Sequence, residues 1–102
     1  MKKRIAILGS TGSIGRQALE VIQQFPEAFE VTALAAGSNL ESLIAQADVF
    51  QVQHLVVGNP ALYHELRSRV AGQKVSVSAG IEGLIGIATL PEVDLVLTAV
   101  VG

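Results

Sequence analysis

Among its 102 residues the chain has no cysteine and no tryptophan. Without cysteine it cannot form a disulfide, a thiolate metal site or a thiol nucleophile, and the composition fits a reducing compartment. Charge is also scarce, since charged residues make up 16% and the formal net charge is -2. Such a chain lacks the basic field that attracts a nucleic-acid backbone or an anionic membrane surface. We therefore expect small molecules or proteins as partners, and neither nucleic acid nor membrane.

Long hydrophobic runs are missing as well. Behind the basic start at residues 1–4, the apolar run at residues 5–8 stops at a glycine and is too short for a signal peptide. The uncharged run at residues 95–102 has a length typical of a strand buried on both faces, not of a membrane span. We therefore expect a soluble protein, located in the cytoplasm.

Half of the residues are hydrophobic, which is enough for one core, and the length predicts one domain. Apolar runs alternate with helix-period runs, a pattern typical of a parallel sheet flanked by helices. The predicted strands cover residues 4–8, 30–35, 54–57, 74–78 and 93–101. Right-handed crossovers then predict an α/β fold, a Rossmann-like doubly wound parallel sheet of about five strands with helices on both faces and strand order 3-2-1-4-5.

The helices are predicted between these strands, at residues 13–24, from a cap at Asn39, at residues 60–70 and within residues 80–89. The inner face of the first helix is expected to carry Ile14, Ala18, Leu19, Val21 and Ile22. The fourth strand alternates polar and apolar side chains, which predicts a place near the sheet edge. The fifth strand is almost wholly apolar, so we expect it to be central.

Gly9, Gly12 and Gly15 form a G-x-x-G-x-x-G loop between the first predicted strand and helix. In dinucleotide-binding folds the first glycine permits a tight turn, the second lets backbone approach the pyrophosphate, and the third allows close helix–strand packing. Free amides at the helix start and the positive end of its dipole would stabilise that anion without a lysine. Thr11 and Ser13 add hydroxyl donors. The alternative is a turn that only reverses the chain, but the flanking strand and helix favour a binding loop.

The end of the second strand indicates which dinucleotide binds. NAD-specific folds place an aspartate or glutamate there to bind the adenosine ribose, and this chain has none. Gly37, Ser38 and Asn39 would instead offer a 2'-phosphate small side chains, donors and a helix start, which favours NADP. The alternative is a plain turn with a helix cap, and both interpretations can hold together. For Arg16, one residue past the loop, the alternatives are a phosphate contact and a solvated helix face; the second is favoured, and Arg16 is left out of the predicted site.

No catalytic or metal-binding residue is predicted in this chain. His54 and His64 have no partner at ligand spacing and are interpreted as structural or surface residues. Tyr63 lacks the lysine four residues on that a tyrosine–lysine reductase pair would need. Isolated carboxylates such as Asp94 lie near element ends, where they usually act as caps.

Residues 5–15, 35–39 and 93–102 together resemble the 1-deoxy-D-xylulose 5-phosphate reductoisomerase family, and the Leu-Gly-Ser-Thr-Gly-Ser-Ile-Gly block is the most characteristic part. The likeness extends from the first predicted strand to the fifth. The resemblance implies coenzyme contacts from Thr11, Gly12, Ser13, Ile14, Gly37, Ser38 and Asn39. Many members of the family carry a lysine where Ser38 stands, so this chain departs from the family beside the expected 2'-phosphate.

The resemblance also implies an activity for the complete enzyme. This NADPH-dependent oxidoreductase would isomerise and reduce 1-deoxy-D-xylulose 5-phosphate to 2-C-methyl-D-erythritol 4-phosphate, with a divalent cation (Mg²⁺ or Mn²⁺), in non-mevalonate isoprenoid biosynthesis. It would act as a homodimer, with its metal ligands and substrate pocket beyond Gly102. Residues 1–102 would then be its N-terminal NADP-binding Rossmann-like domain, inactive alone because the catalytic and C-terminal domains are absent.

Two other functions remain open from the residues. A reductase of the semialdehyde-dehydrogenase type also uses a G-x-x-G-x-x-G loop, but it needs a cysteine nucleophile further along. A non-catalytic dinucleotide-sensing domain would use the same fold to control a partner protein. Sequence beyond residue 102 would distinguish these alternatives.

Overall fold

The computed structural model describes residues 2–99. The strands are β1 (Lys3–Leu8), β2 (Phe29–Ala36), β3 (His54–Val57), β4 (Ser76–Ala79) and β5 (Leu95–Thr98). The helices are α1 (Ser13–Gln23), α2 (Leu40–Phe50), α3 (Tyr63–Arg69), which follows a 3₁₀ turn at Pro60–Leu62, and α4 (Gly80–Ala88). Every strand pair is parallel. The predicted α/β alternation is confirmed, with bounds of the first four strands within two residues of those predicted.

The strand order is β4-β3-β2-β1-β5, so the predicted order 3-2-1-4-5 is wrong. The crossover after β3 continues in the same direction as the two before it and places β4 at the sheet edge. That edge position agrees with the polar alternation of β4. The chain then returns across the sheet through α4, and β5 pairs with β1.

The return of the chain explains why helices cover both faces. Three successive right-handed crossovers in one direction place α1, α2 and α3 on the same face, and the reversed crossover places α4 on the other. The larger core cluster joins Leu19, Leu43 and Leu66 to the sheet, and the smaller joins Ile87 to Val56. The predicted two-faced sheet is confirmed. Within residues 2–99 no helix is long and apolar enough to cross a bilayer.

The prediction that the fifth strand is central is wrong for the described residues. β5 pairs only with β1 there, and Leu95 is 48% exposed. Val96 and Leu97 pack against opposite clusters, so the apolar run reflects cover on both faces and not the number of neighbouring strands. Residues 100 and 101 of the predicted strand lie outside the described residues.

The predicted inner face of α1 is partly wrong. Leu19 and Ile22 are buried as expected, whereas Ile14 is 56% and Val21 54% exposed. The buried stripe runs through positions 15, 19 and 22, which follow helical spacing. Because its first member is Gly15, this stripe has little hydrophobic signal in the sequence. The neighbouring stripe, which contains Ile14 and Val21, is equally apolar, so the sequence pattern does not distinguish the two.

Candidate functional site

The sheet reverses its direction of winding between β1 and β5. In open α/β sheets, ligands bind outside the carboxyl ends of the strands at such a switch point. The loop at residues 9–12 follows β1 directly, and residues 37–39 follow β2, the neighbour of β1. The fold therefore brings both predicted binding segments to one edge, although they are separated in sequence.

Gly9 makes the turn out of β1 with a φ of 86°, a conformation that side-chain-bearing residues rarely adopt. The amides of Gly9 and Ser10 both donate to the Ala35 carbonyl oxygen, at 2.8 and 2.9 Å. These two hydrogen bonds hold the loop against the end of β2. The distance between the two predicted binding segments is thereby set by backbone alone.

Gly15 is buried where α1 passes over the loop. A Cβ at this position would collide with the Gly9 carbonyl oxygen and lie 2.7 Å from the Ser10 Cα. Both are backbone atoms and cannot rotate away. Any larger residue would push α1 off the loop, so Gly15 has the close-packing role expected of the third glycine.

Gly12 is exposed and immediately precedes α1, in an extended conformation with no side-chain cap. A Cβ there would meet only the Gly9 carbonyl oxygen, at an ordinary 3.8 Å. Within residues 2–99 no hydrogen-bond acceptor is recorded for the amides of Ser13, Ile14 and Gly15. The start of α1 thus presents open backbone donors and the positive end of a helix dipole, the arrangement that binds phosphate groups.

Thr11 and Ser13 lie on either side of Gly12. Thr11 is half-buried, Ser13 is exposed, and neither hydroxyl has a recorded protein partner in the described part of the chain. Ile14 is exposed beside them. All three side chains are therefore placed beside the open helix start.

The second segment begins α2. Asn39 caps this helix by accepting a hydrogen bond from the Ser42 amide at 3.2 Å, so the predicted cap is confirmed. Gly37 and Ser38 are exposed beside it. The turn at residues 37–39 contains no carboxylate, and Glu41 follows in the first turn of α2. A phosphate on the adenosine ribose would meet no acidic side chain in the turn itself.

Sequence reasoning missed Gln46. Its Nε2 donates to the Ser10 carbonyl oxygen at 2.9 Å, which ties α2 to the glycine loop. Gln46 is half-buried next to the inner positions Leu43 and Ala47. A polar side chain adjoining a helix's buried stripe was the available signal, but the sequence does not show what it bonds.

The residues set aside in the sequence have structural partners. The Asp94 carboxylate accepts the Arg4 amide at 2.9 Å, joining the start of β5 to β1. The His54 Nε2 lies 3.6 Å from the Glu92 Oε2. Within residues 2–99 no group of three His, Cys, Asp or Glu side chains could hold a metal ion.

A surface groove of about 770 Å³ lies elsewhere, between α3 and β4. It contains none of the predicted coenzyme-binding residues. The groove is lined by α3, β4 and the connection between them, whereas the edge at Gly12 concentrates unbonded backbone donors. For an anionic ligand, the donors identify the site better than volume does.

The model of the 1-deoxy-D-xylulose 5-phosphate reductoisomerase family matches residues 5–102. The chain belongs to this family. Its relatives of the same name from Chloroherpeton thalassium and Bacteroides thetaiotaomicron are 49% and 48% identical to it, over 98% and 99% of this chain. The chain spans only 26% of either relative's length. The resemblance noted from the sequence is confirmed, and neither alternative function is favoured.

Solved structures of the family share the fold. The reductoisomerase from Zymomonas mobilis in complex with NADPH matches with a TM-score of 0.93 and 30% identity, over 100% of this chain and 27% of that chain. A DOX-P reductoisomerase in complex with NADPH, fosmidomycin and magnesium matches with a TM-score of 0.94 and 38% identity, over 98% of this chain and 25% of that one. The Rossmann-like fold is therefore that of the family.

Proposed function

We propose that this chain is the NADPH-binding domain of a 1-deoxy-D-xylulose 5-phosphate reductoisomerase. The whole enzyme would isomerise 1-deoxy-D-xylulose 5-phosphate and reduce it with NADPH to 2-C-methyl-D-erythritol 4-phosphate, in non-mevalonate isoprenoid biosynthesis. The observation that carries this proposal is the open start of α1, beside Gly12 and at the switch point of the sheet. Membership of the family and the NADPH complexes of its relatives support the choice of ligand.

The proposed coenzyme contacts divide between the two segments. The amides at the start of α1 would bind the pyrophosphate, and Gly12 leaves room for it to approach. Gly9 and Gly15 would shape the loop, while Thr11, Ser13 and Ile14 would lie against the bound coenzyme. Gly37, Ser38 and Asn39 would face the adenosine ribose and its 2'-phosphate, and the turn that these three residues form contains no carboxylate to repel it.

Bound NADPH supplies a hydride to the substrate. The residues of this chain would hold and orient the coenzyme, and no described residue is assigned a role in proton transfer. The divalent cation, Mg²⁺ or Mn²⁺, and the sugar phosphate would be bound by other parts of a longer protein, since the chain spans about a quarter of its relatives' length. The remaining catalytic and C-terminal domains would lie there too.

Two further properties are part of the proposal. The native enzyme would be a homodimer, and it would act in the cytoplasm. Sedimentation of the native protein as a monomer at micromolar concentration would contradict the first. Recovery of the native protein from any compartment other than the cytoplasm would contradict the second.

The test is a coenzyme titration of the native protein that contains this chain, with binding measured by intrinsic or NADPH fluorescence. We expect NADPH to bind more tightly than NADH. Addition of 1-deoxy-D-xylulose 5-phosphate and Mg²⁺ should then consume NADPH. Equal affinities, or tighter NADH binding, would overturn the coenzyme assignment; NADPH binding without any consumption would overturn the assigned reaction.

A further inference from the structure

Most of the basic side chains lie far from the candidate site. Lys2, Lys3 and Arg4 are at the amino end of β1, Lys74 precedes β4, and Arg67 and Arg69 are in the last turn of α3. Because the strands are parallel and the helices run back against them, all of these positions belong to the amino edge of the sheet. Among residues 2–99, Arg16 is the basic residue that the topology places at the carboxyl edge.

Arg16 lies in the first turn of α1 and reaches across to α2. Its Nη2 is 3.4 Å from the Ser42 hydroxyl oxygen, and the Ser42 amide is bonded to the Asn39 cap. The guanidinium therefore lies between the two helix starts, beside the turn that follows β2. Its interpretation as a merely solvated helix residue does not account for this placement.

The charge of Arg16 is not compensated by an ion pair within residues 2–99. Arg4 and Arg69 have carboxylate partners, Glu30 and Glu65, within 4.0 Å, whereas no such contact is recorded for Arg16. Glu20 and Glu41 lie on the same two helices, and no ion pair between either of them and Arg16 is recorded within residues 2–99. An exposed guanidinium has a planar fork of donors that matches a phosphate group, and it is less strongly hydrated than an ammonium.

We propose that Arg16 is a specificity-determining residue that selects NADPH over NADH by binding the 2'-phosphate, with Ser42 holding its guanidinium in place. This inference rests on the proposed function. It adds a cation, contributed by α1, to a subsite otherwise made of Ser38, Asn39 and the start of α2. The pyrophosphate and the 2'-phosphate would then both be bound from the first turn of α1.

The test compares Arg16→Met with the native protein by measuring the Kd of both NADPH and NADH. Loss of one charge-assisted contact at an exposed site should weaken NADPH binding about tenfold and leave NADH binding unchanged. Arg16→Lys should recover part of the preference because it keeps the charge and loses the planar fork. Arg67→Met, which removes an exposed arginine bonded to the Tyr63 hydroxyl at the other edge, is the matched control and should leave both constants unchanged.

If Arg16 served only to hold α1 against α2, Arg16→Met would give a different result. It would weaken NADPH and NADH binding equally, or it would lower thermal stability without changing the ratio of the two Kd values. Either result would overturn the inference. Raising the salt concentration should reduce the NADPH preference of the native protein and have a smaller effect in Arg16→Met. If the native protein prefers NADPH and Arg16→Met keeps that full preference, only this inference fails; if the native protein does not bind NADPH, the proposed function itself fails.

Discussion

Two helices begin side by side at the carboxyl edge of this sheet, and their first turns are built differently. α2 is capped by its own Asn39, whose side chain accepts the Ser42 amide. α1 begins at Gly12 with no side-chain cap, and no acceptor is recorded for its first amides within residues 2–99. Glycine in place of a capping side chain costs a helix only roughly a few tenths of a kcal/mol, so α1 leaves its first amides open at little cost in stability.

The difference shows how a binding site is distinguished from a structural helix end. A cap fills the helix start with the protein's own acceptor, whereas an open start reserves the same donors for an anion. Packing beneath the two starts also differs, since the buried Gly15 brings α1 into contact with the loop backbone. Substitutions at Gly15, Gly12, Gln46 and Asn39 test this difference, with expected effects that decrease in that order.

Gly15→Ala should be the most damaging change. A glycine-to-alanine change within a helix usually gains about 1 kcal/mol, but here the new Cβ meets the backbone of Gly9 and Ser10. We expect the free energy of unfolding to fall by about 3 kcal/mol, measured by denaturant titration. Gly86→Ala, in α4 with nothing within 4 Å, is the control and should raise stability by up to about 1 kcal/mol. Similar behaviour of the two variants would refute close packing at Gly15.

Gly12→Val tests the opening itself. The backbone at Gly12 is extended and a Cβ there has only an ordinary contact, so the free energy of unfolding should change by less than about 1 kcal/mol. The added methyl groups would cover the open amides, and NADPH affinity should fall about a hundredfold, roughly 2.7 kcal/mol, by isothermal titration calorimetry. Gly12→Ala should give a smaller loss. Unchanged affinity in both variants would show that the pyrophosphate binds elsewhere.

Gln46→Leu removes the bond between α2 and the glycine loop. The carbonyl of the buried Ser10 would lose its side-chain donor, so we expect the free energy of unfolding to fall by about 1–2 kcal/mol. The loop would also be held less firmly, which should weaken NADPH and NADH binding equally. Denaturant titration and coenzyme titration measure the two effects. Gln17→Leu, at an exposed position of α1, is the control and should change the free energy of unfolding by no more than about 0.5 kcal/mol. If Gln17→Leu lowered the free energy of unfolding as much as Gln46→Leu, the bond between Gln46 and Ser10 would not explain the loss.

Asn39→Ala should have the smallest effect on the fold, about 1 kcal/mol in the free energy of unfolding, because it removes the cap of α2. Asn39→Asp separates the cap from the coenzyme, since aspartate caps a helix about as well as asparagine. Stability should be retained, while the new carboxylate should repel a 2'-phosphate and lower the preference for NADPH over NADH. Paired coenzyme titrations check this, and an unchanged preference would place the 2'-phosphate away from Asn39.

The local parts of this site could be predicted from neighbouring residues. Gly9, Gly12 and Gly15 are contiguous with the strand and helix they join, so their spacing alone indicates a turn and an open helix start. The cap at Asn39 is local for the same reason, because its acceptor and the Ser42 amide are three residues apart. The alternation of strands and helices followed from periodicity, which depends only on neighbouring residues.

Contacts between residues that are distant in the sequence could not be predicted and depend on how the whole chain packs. The bond from Gln46 to Ser10 joins residues 36 apart, and the contact between Arg16 and Ser42 joins residues 26 apart. The strand order and the edge position of β5 likewise depend on the direction of each crossover, which leaves no local signal in the residues it connects. Hydrophobic patterns report which faces are covered, whereas the neighbours of a strand are chosen by the packing of the whole sheet.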